Sequence, residues 1–125
     1  MANDHQVYEI EYEKDFRKNY KRLIKKKHFD KLPDQIEELV NELRDGRFSG
    51  TVLKRSDEPI HYEIYKKRLP NLNTNEGISG GYRVIYLAQH DDRFVIFITM
   101  YYKPEQETVS DAYIEGWIDS LFADK

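Results

Sequence analysis

Three extended runs follow one another in residues 61–102: HYEIYKKRLPN (61–71), YRVIYLAQ (82–89) and RFVIFITMYY (93–102). Each run is rich in β-branched and aromatic residues. The segments between them, NTNEGISGG (73–81) and HDD (90–92), supply the Gly, Asn and Asp of turns. This succession is typical of consecutive antiparallel strands. The sequence therefore predicts an antiparallel sheet around which the rest of the chain is organised.

Two of these predicted strands carry cations where sheet-forming residues are expected. Lys66, Lys67 and Arg68 lie in the first run, and Arg83 lies in the second. Side chains two residues apart on a strand share a face, so Lys66 and Arg68 point the same way, whereas Lys67 faces the opposite side of the sheet. If the two strands pair through the 70–81 connection, Arg83 comes alongside Lys66 and Arg68.

The third strand ends in the pair Tyr101 and Tyr102, followed by Lys103, near the same end of the sheet. Lys, Arg and Tyr converging without a carboxylate suit an RNA phosphodiester, because Arg offers a fork for the phosphate and Tyr can stack on a base. The same cations would also serve as charged edge residues that discourage aggregation without any ligand. The residues by themselves leave both interpretations open.

Length and composition restrict the class of protein. The 125 residues suffice for one domain, expected to span 1–125, and 39% apolar residues with ten Tyr and six Phe indicate a folded globule. The absence of Cys excludes disulfides and thiolate metal sites. Because the sequence contains no long apolar run, we expect a soluble cytoplasmic protein without a membrane partner.

The charges are segregated along the chain. The net charge of −3 is unusual for a nucleic-acid-binding protein, but residues 14–31 hold nine Lys or Arg against two Asp. Local patches, rather than net charge, would therefore steer a partner. The alternative is that this run is only the solvated face of a helix. The candidate RNA-binding cations outside the sheet end are Lys18, Arg22, Lys25, Lys26 and Lys67.

Hydrophobic periodicity predicts the elements that precede the three strands. Residues 7–12 alternate with a period of two, as a half-buried strand does, and residues 13–28 show a narrow apolar stripe at helical spacing. A second helix follows, with Pro33 in its first turn and Gly46 at its end. Two short helices joined by a few residues would form a hairpin that lies across one face of the sheet.

The remaining segments complete the predicted fold. Residues 46–59 are expected to form an irregular connection, and the last helix is expected to begin at Pro104, where Pro and acidic residues favour a helix start. The order is then β-α-α-β-β-β-α. This order describes an α+β domain with a small, mainly antiparallel twisted sheet, a helical hairpin on one face and a C-terminal helix.

Standard catalytic and cofactor motifs are not evident. GISGG is not followed by GK[ST], which argues against a phosphate-binding P-loop. The histidines at positions 5, 28, 61 and 90 lack the spacing of metal ligands, and Ser-His-Asp logic cannot be assembled. The sequence therefore predicts neither a metal site nor a small-molecule cofactor.

Three motifs in a fixed order resemble the RelE/ParE toxin superfamily, particularly its RelE- and HigB-like members. They are IYKKRLPN (64–71), SGGYRVIYL (79–87) and VIFITMYYKPEQETVS (95–110). Those proteins show a short basic strand, then SGG-(Y/F)-R-(V/I)-I-Y-Y, then an apolar strand ending in YxKxEQxD(I/L). The resemblance covers residues 60–112 and rests on the ordered set rather than on any single motif.

The resemblance implies a bacterial toxin with a cognate antitoxin as its partner. The RelE-like branch cleaves mRNA in the ribosomal A site without metal, by attack of the RNA's own 2′-hydroxyl on the adjacent phosphate. Transferred by position, Lys66 is the candidate proton acceptor, and Arg68 and Arg83 would hold the phosphate and its transition-state charge. Lys103 matches the cation after the third strand, and Tyr102 is the candidate for base stacking.

Two other functions stay open at this point. The ParE-like branch shares the fold but poisons DNA gyrase, so the protein would then be a non-catalytic binding module or an inactivated relative. In a third reading, the basic helix at 13–28 is the main contact and grips rRNA phosphates. Substituting Lys66 or Arg83 separates the first two functions, and the salt dependence of ribosome binding tests the third.

Overall fold

The computed structural model describes residues 7–106 and 108–123, which form a five-stranded sheet with helices on both faces. The sheet order is β1-β5-β4-β3-β2, with β1 parallel to β5 and the other pairs antiparallel. The predicted α+β class and mainly antiparallel sheet are confirmed. The elements are β1 (Glu9–Tyr12), α1 (Lys14–Lys27), α2 (Leu32–Arg44), β2 (Thr51–Ser56), β3 (Tyr62–Leu69), β4 (Tyr82–Gln89), β5 (Phe94–Tyr102) and α3 (Asp111–Ala123).

Strand β4 lies at the centre of the sheet and is buried on both faces. Tyr82, Val84 and Tyr86 point to the face covered by α1 and α2, which we call the hairpin face. Ile85 and Leu87 point to the face covered by α3, which we call the α3 face. This alternation fixes the face on which every neighbouring side chain of the regular β3–β4 pair lies.

The helical hairpin forms as the periodicity predicts. Helix α1 ends at His28, whose left-handed φ of 59° lets its N–H return to the carbonyl of Leu23. Helix α2 carries Pro33 in its first turn and is followed by Gly46 at a φ of 80°. Within the part of the chain that the structure describes, no helix has the length and apolar character needed to cross a membrane.

The prediction of an irregular connection over residues 46–59 is wrong, because β2 lies inside it. Among the residues that the structure describes, this strand pairs only with β3, so it forms the edge of the sheet and lacks the pattern of a half-buried strand. Val52 and Leu53 are both exposed, and the register shifts between Val52 and Lys54. Main-chain hydrogen bonds, which leave no trace in hydrophobic periodicity, are what define this strand.

The predicted start of the last helix at Pro104 is also wrong, since α3 begins at Asp111. Pro104 lies in a turn that follows β5, and the carboxylate of Glu105 forms ion pairs with α1 instead. Ser110 precedes the helix, and its hydroxyl accepts a hydrogen bond from the N–H of Tyr113 at 3.0 Å. A serine cap therefore starts this helix, rather than the proline.

The connection between β3 and β4 depends on a glycine. A Cβ atom on Gly81 would lie 2.0 Å from the carbonyl oxygen of Leu69 and 2.9 Å from the Cα of Pro70. Only glycine permits the start of β4 to pass so close to the end of β3. This close approach places Arg83 two residues later, at the end of the sheet where β3 finishes.

Candidate functional site

Three polar or charged side chains form a row across the central strands. Arg68 of β3 lies directly opposite Arg83 of β4, and Arg83 lies opposite Tyr101 of β5. Because β3 and β4 pair without a register shift, Arg68 and Arg83 share the α3 face with Ile64 and Ile85. The structure therefore brings together the two arginines that the sequence places in one patch.

The guanidinium of Arg83 is largely removed from solvent. The residue is 6% exposed, and its Nη1 atom donates to the carbonyl of Ile78 at 2.9 Å and to that of Tyr82 at 3.3 Å. These bonds attach the loop before β4 to the sheet. A guanidinium carries five N–H donors, so two bonds from one nitrogen do not exhaust its capacity for a phosphate.

Lys66 and Arg68 form the more accessible part of the patch. Lys66 is half-buried and lies opposite Ile85 on one side and Thr51 of β2 on the other. Arg68 is exposed, and its Nη1 donates to the hydroxyl of Thr51 at 3.0 Å. The two side chains share the α3 face with Arg83, at the end of the sheet where β3 runs out.

Of the residues at the end of β5, some lie at this patch and others lie on the opposite face of the sheet. Lys103 follows the strand, and its backbone N–H donates to the carbonyl of Gly81 at 2.9 Å, which places it at the same sheet end as Arg83. Tyr102, in contrast, lies on the hairpin face, where its ring packs 5.1 Å from that of Phe29. The structure therefore pairs Tyr101, rather than Tyr102, with Arg83.

Helix α1 presents the second group of predicted cations. Lys18, Lys25 and Lys26 are exposed, whereas Arg22 is half-buried and bound to Glu105. One carboxylate oxygen of Glu105 lies 2.8 Å from Nη2 of Arg22, and the other lies 3.0 Å from Nζ of Lys27. Hydrogen bonds from these two cations, Arg22 first, hold the pKa of Glu105 below its usual range. Part of the positive field of α1 is thus neutralised within the protein.

Lys67 lies on the face of the sheet opposite to Lys66, Arg68 and Arg83. It shares the hairpin face with Leu69 and lines a groove of about 230 Å³ together with Glu38 and Glu42 of α2. The expectation that Lys67 faces the side of the sheet opposite to Lys66 and Arg68 is therefore confirmed. Arg68 lines the same groove, so Lys67 and the patch on the α3 face meet at this end of β3.

A cluster of side chains whose proximity was not predicted from the sequence lies at the other end of β3 and β4. His61, Glu63 and His90 place one ligand atom each within 4.8 Å of one another. Burial by itself would raise the pKa of the Glu63 carboxyl, but the hydrogen bond from His90 and the charges of its neighbours hold that pKa below its usual range. The available signal was the His-x-Glu spacing at the start of a strand, which places both side chains on one face.

The comparison with solved structures gives a match in fold. The isolated E. coli RelE toxin aligns with a TM-score of 0.51 at 19% sequence identity, over 90% of this chain and 97% of that chain. Comparisons with protein-family models and with curated proteins give no match. The chain therefore has a RelE-like fold, and the fold expected from the three ordered motifs is confirmed.

Proposed function

We propose that this protein is the toxin of a toxin–antitoxin pair and that it cleaves mRNA on the ribosome. One observation carries the proposal: Arg68 and Arg83 are opposed on neighbouring strands, with Lys66 on the same face. Two guanidiniums beside an amine supply the charge and the hydrogen-bond donors that a phosphodiester requires. The RelE-like fold supports the same function, since the structural neighbour is a toxin.

The proposed reaction is an internal transfer at phosphorus. The 2′-oxygen forms a bond to the adjacent phosphorus while the bond to the 5′-oxygen breaks, which gives a 2′,3′-cyclic phosphate and a 5′-hydroxyl end. Lys66 takes the proton of the 2′-hydroxyl, and Lys103 supplies the proton that the leaving 5′-oxygen takes up. Arg68 and Arg83 stabilise the negative charge that builds up on the phosphate oxygens. The scheme calls for no metal ion.

The same positive charges indicate which partners the protein would bind. The exposed lysines of α1, Lys18, Lys25 and Lys26, would bind rRNA phosphates and hold the protein on the ribosome. A cognate antitoxin would cover the basic patch with an acidic or apolar segment, added to the domain as a helix or a strand. In that complex, Arg68 and Lys66 would be inaccessible to the mRNA.

The decisive experiment is cleavage of an mRNA bound in the A site of purified bacterial ribosomes. The same RNA free in solution is the first control, and the Lys66→Ala/Arg83→Ala variant is the second. Arg47→Ala is a matched control, because Arg47 is exposed and pairs only with Asp45 among the ion pairs identified in the described residues. Cleavage confined to the ribosome, lost in the double variant and kept in Arg47→Ala, is the expected result.

A second candidate function is a non-catalytic binding module of the same fold, such as a gyrase poison. The burial of Arg83 and its two bonds to backbone carbonyls favour this alternative, because they give the residue a structural task. A well-folded wild-type protein that cuts no RNA in any condition would support it. Inhibition of DNA gyrase by the same preparation would then identify the target.

A further inference from the structure

The antiparallel pairing of β3 with β4 brings two distant histidines together. Tyr62 lies opposite Gln89, so His61 and His90 follow as the next pair outward, and the N–H of His90 donates to the carbonyl of His61 at 2.9 Å. Their ring centroids are 4.6 Å apart. Glu63, two residues along β3 from His61, lies on the same side of the sheet.

The three side chains converge on a small volume. Nε2 of His90 lies 2.5 Å from one oxygen of Glu63, and Nε2 of His61 lies 3.4 Å from the other oxygen. The carboxylate is nearly buried, since Glu63 is only 4% exposed. Two imidazole nitrogens and a carboxylate oxygen are a ligand set used by zinc and by other divalent transition metals.

A tyrosine orients one of the histidines. The Tyr8 hydroxyl lies 2.9 Å from Nδ1 of His90, on the side of the ring away from Glu63. The hydroxyl and Nδ1 can bond in either direction, and when Nδ1–H donates to the hydroxyl, Nε2 presents its lone pair on the Glu63 side, as a metal ligand must. A hydrogen bond from the outer nitrogen of a histidine is also how metal-bound imidazoles are held in position.

We infer that His61, Glu63 and His90 form a binding site for one divalent transition-metal ion of the zinc type. Such an ion sits about 2.0–2.2 Å from nitrogen and oxygen ligands. The described ligand atoms therefore need only small side-chain rotations to reach it. His61 is half-exposed, so the ion enters from solvent on that side, where Asp57 lies 3.9 Å from Nε2 of His61 and offers a fourth ligand.

The position of this site separates it from the proposed RNA chemistry. Glu63 and Arg68 are five residues apart on β3, roughly 16 Å along the strand, and they point to opposite faces. The ion would therefore join β3 to β4 at the far end of the sheet, without contacting the phosphate. A neighbouring cation competes for the same carboxylate, because Arg55 lies 3.3 Å from Glu63.

The test is titration of the untagged full chain with Zn²⁺ by calorimetry, and with Co²⁺ by its visible absorption. His61→Ala is the main variant, because removing this half-exposed ring leaves the His90–Glu63 contact in place and the chain folded. His28→Asn is the matched control: it removes an exposed histidine at a φ of 59°, a conformation that asparagine tolerates. Circular dichroism verifies that each variant is folded.

We expect one ion per chain, bound at least about tenfold more weakly by His61→Ala and by Glu63→Gln, and equally well by His28→Asn. Arg55→Gln keeps all three ligands and removes the competing cation, so it should bind the ion roughly fivefold more tightly. The inference is overturned if wild-type protein shows no saturable binding, or if His61→Ala binds as His28→Asn does. Weaker binding by Arg55→Gln would overturn it as well.

Discussion

Arg68 and Arg83 are directly opposed on neighbouring strands, yet their guanidiniums are anchored in different directions. Arg68 donates to Thr51 on β2, and Arg83 donates to the carbonyl of Ile78 in the loop before β4. Like charges at opposed positions destabilise a sheet, and anchoring the two groups apart reduces that cost. A phosphate bound between the two guanidiniums would remove the repulsion. The arginine pair is therefore suited to binding an anion, whereas apolar residues at these two positions would not be.

The two arginines should respond differently to removal. Arg68→Ala should abolish most RNA cleavage and change the free energy of unfolding by less than about 1 kcal/mol, since its side chain is exposed. Arg83→Ala should also lower cleavage, but it should cost about 1–3 kcal/mol because the buried guanidinium bonds two carbonyls. Urea unfolding and the A-site cleavage assay, run on the same preparations, measure both effects. Full cleavage by folded Arg68→Ala would contradict the proposed mechanism.

Releasing the cations held by Glu105 should strengthen binding to the ribosome. In Glu105→Gln, Arg22 and Lys27 lose their partner and become available to phosphates. Binding measured over a range of salt concentrations should tighten, and the slope of log K against log salt should steepen by about one unit for each new phosphate contact.

Glu37→Gln makes the matched comparison for this experiment. Glu37 is exposed on α2 and its replacement changes the net charge by the same amount. A general effect of net charge would shift both variants equally. If the two variants bind alike, the α1 cations do not grip the ribosome through Arg22 and Lys27.

The ion pairs of Glu105 should also make stability depend on pH. Its pKa in the folded protein lies below the ordinary value of 4.5, chiefly because of the hydrogen bond from Arg22. A lowered folded-state pKa stabilises the protein fully above the unfolded-state value, and this stabilisation is lost as pH falls through the folded-state pKa. The difference in unfolding free energy between wild type and Glu105→Gln should therefore be largest near neutral pH and shrink below pH 4.5. A difference that grows on acidification would contradict the assignment.

Two buried tyrosines of β4 provide a test of the fold. The Tyr86 hydroxyl donates to the carbonyl of Ser49 at 2.7 Å and accepts from its N–H at 3.0 Å, whereas the Tyr82 hydroxyl lacks a hydrogen-bond partner among the described residues. Tyr86→Phe should cost about 1–3 kcal/mol because two backbone groups lose their partner, and Tyr82→Phe should be neutral or stabilising. Denaturant unfolding of both variants decides the matter, and equal costs would contradict the hydrogen-bond assignment.

The central strands are correctly predicted, because the sequence patterns that indicate them depend only on neighbouring residues. Residues 82–89 match β4 in full, and the turn residues before and after it enforce antiparallel neighbours. Once that pairing is assumed, the period of two places Lys66, Arg68 and Arg83 on one face. The sheet patch could therefore be predicted before any coordinates were known, although its chemistry stays a proposal.

Features that depend on distant pairing could not be predicted. The register shift between Ile85 and Tyr86 reverses the alternation along β5, so Tyr101 joins the α3 face and Tyr102 the hairpin face. Edge strand β2 is held by main-chain bonds to β3, for which the side-chain pattern carries no signal. The meeting of His61 with His90 likewise follows only from register, across 28 intervening residues.

Strand β1 pairs in parallel with β5, and Glu9 lies opposite Phe94. The first strand therefore cannot form its hydrogen bonds to the sheet until β5 has been synthesised. Strands β3, β4 and β5 are joined by local connections and can assemble earlier, because closing short loops costs less entropy. During synthesis the sheet therefore closes only after residues 94–97 leave the exit tunnel. Protection of residues 9–12 in pulsed hydrogen exchange that comes later than the protection of β3, β4 and β5 would reveal that order.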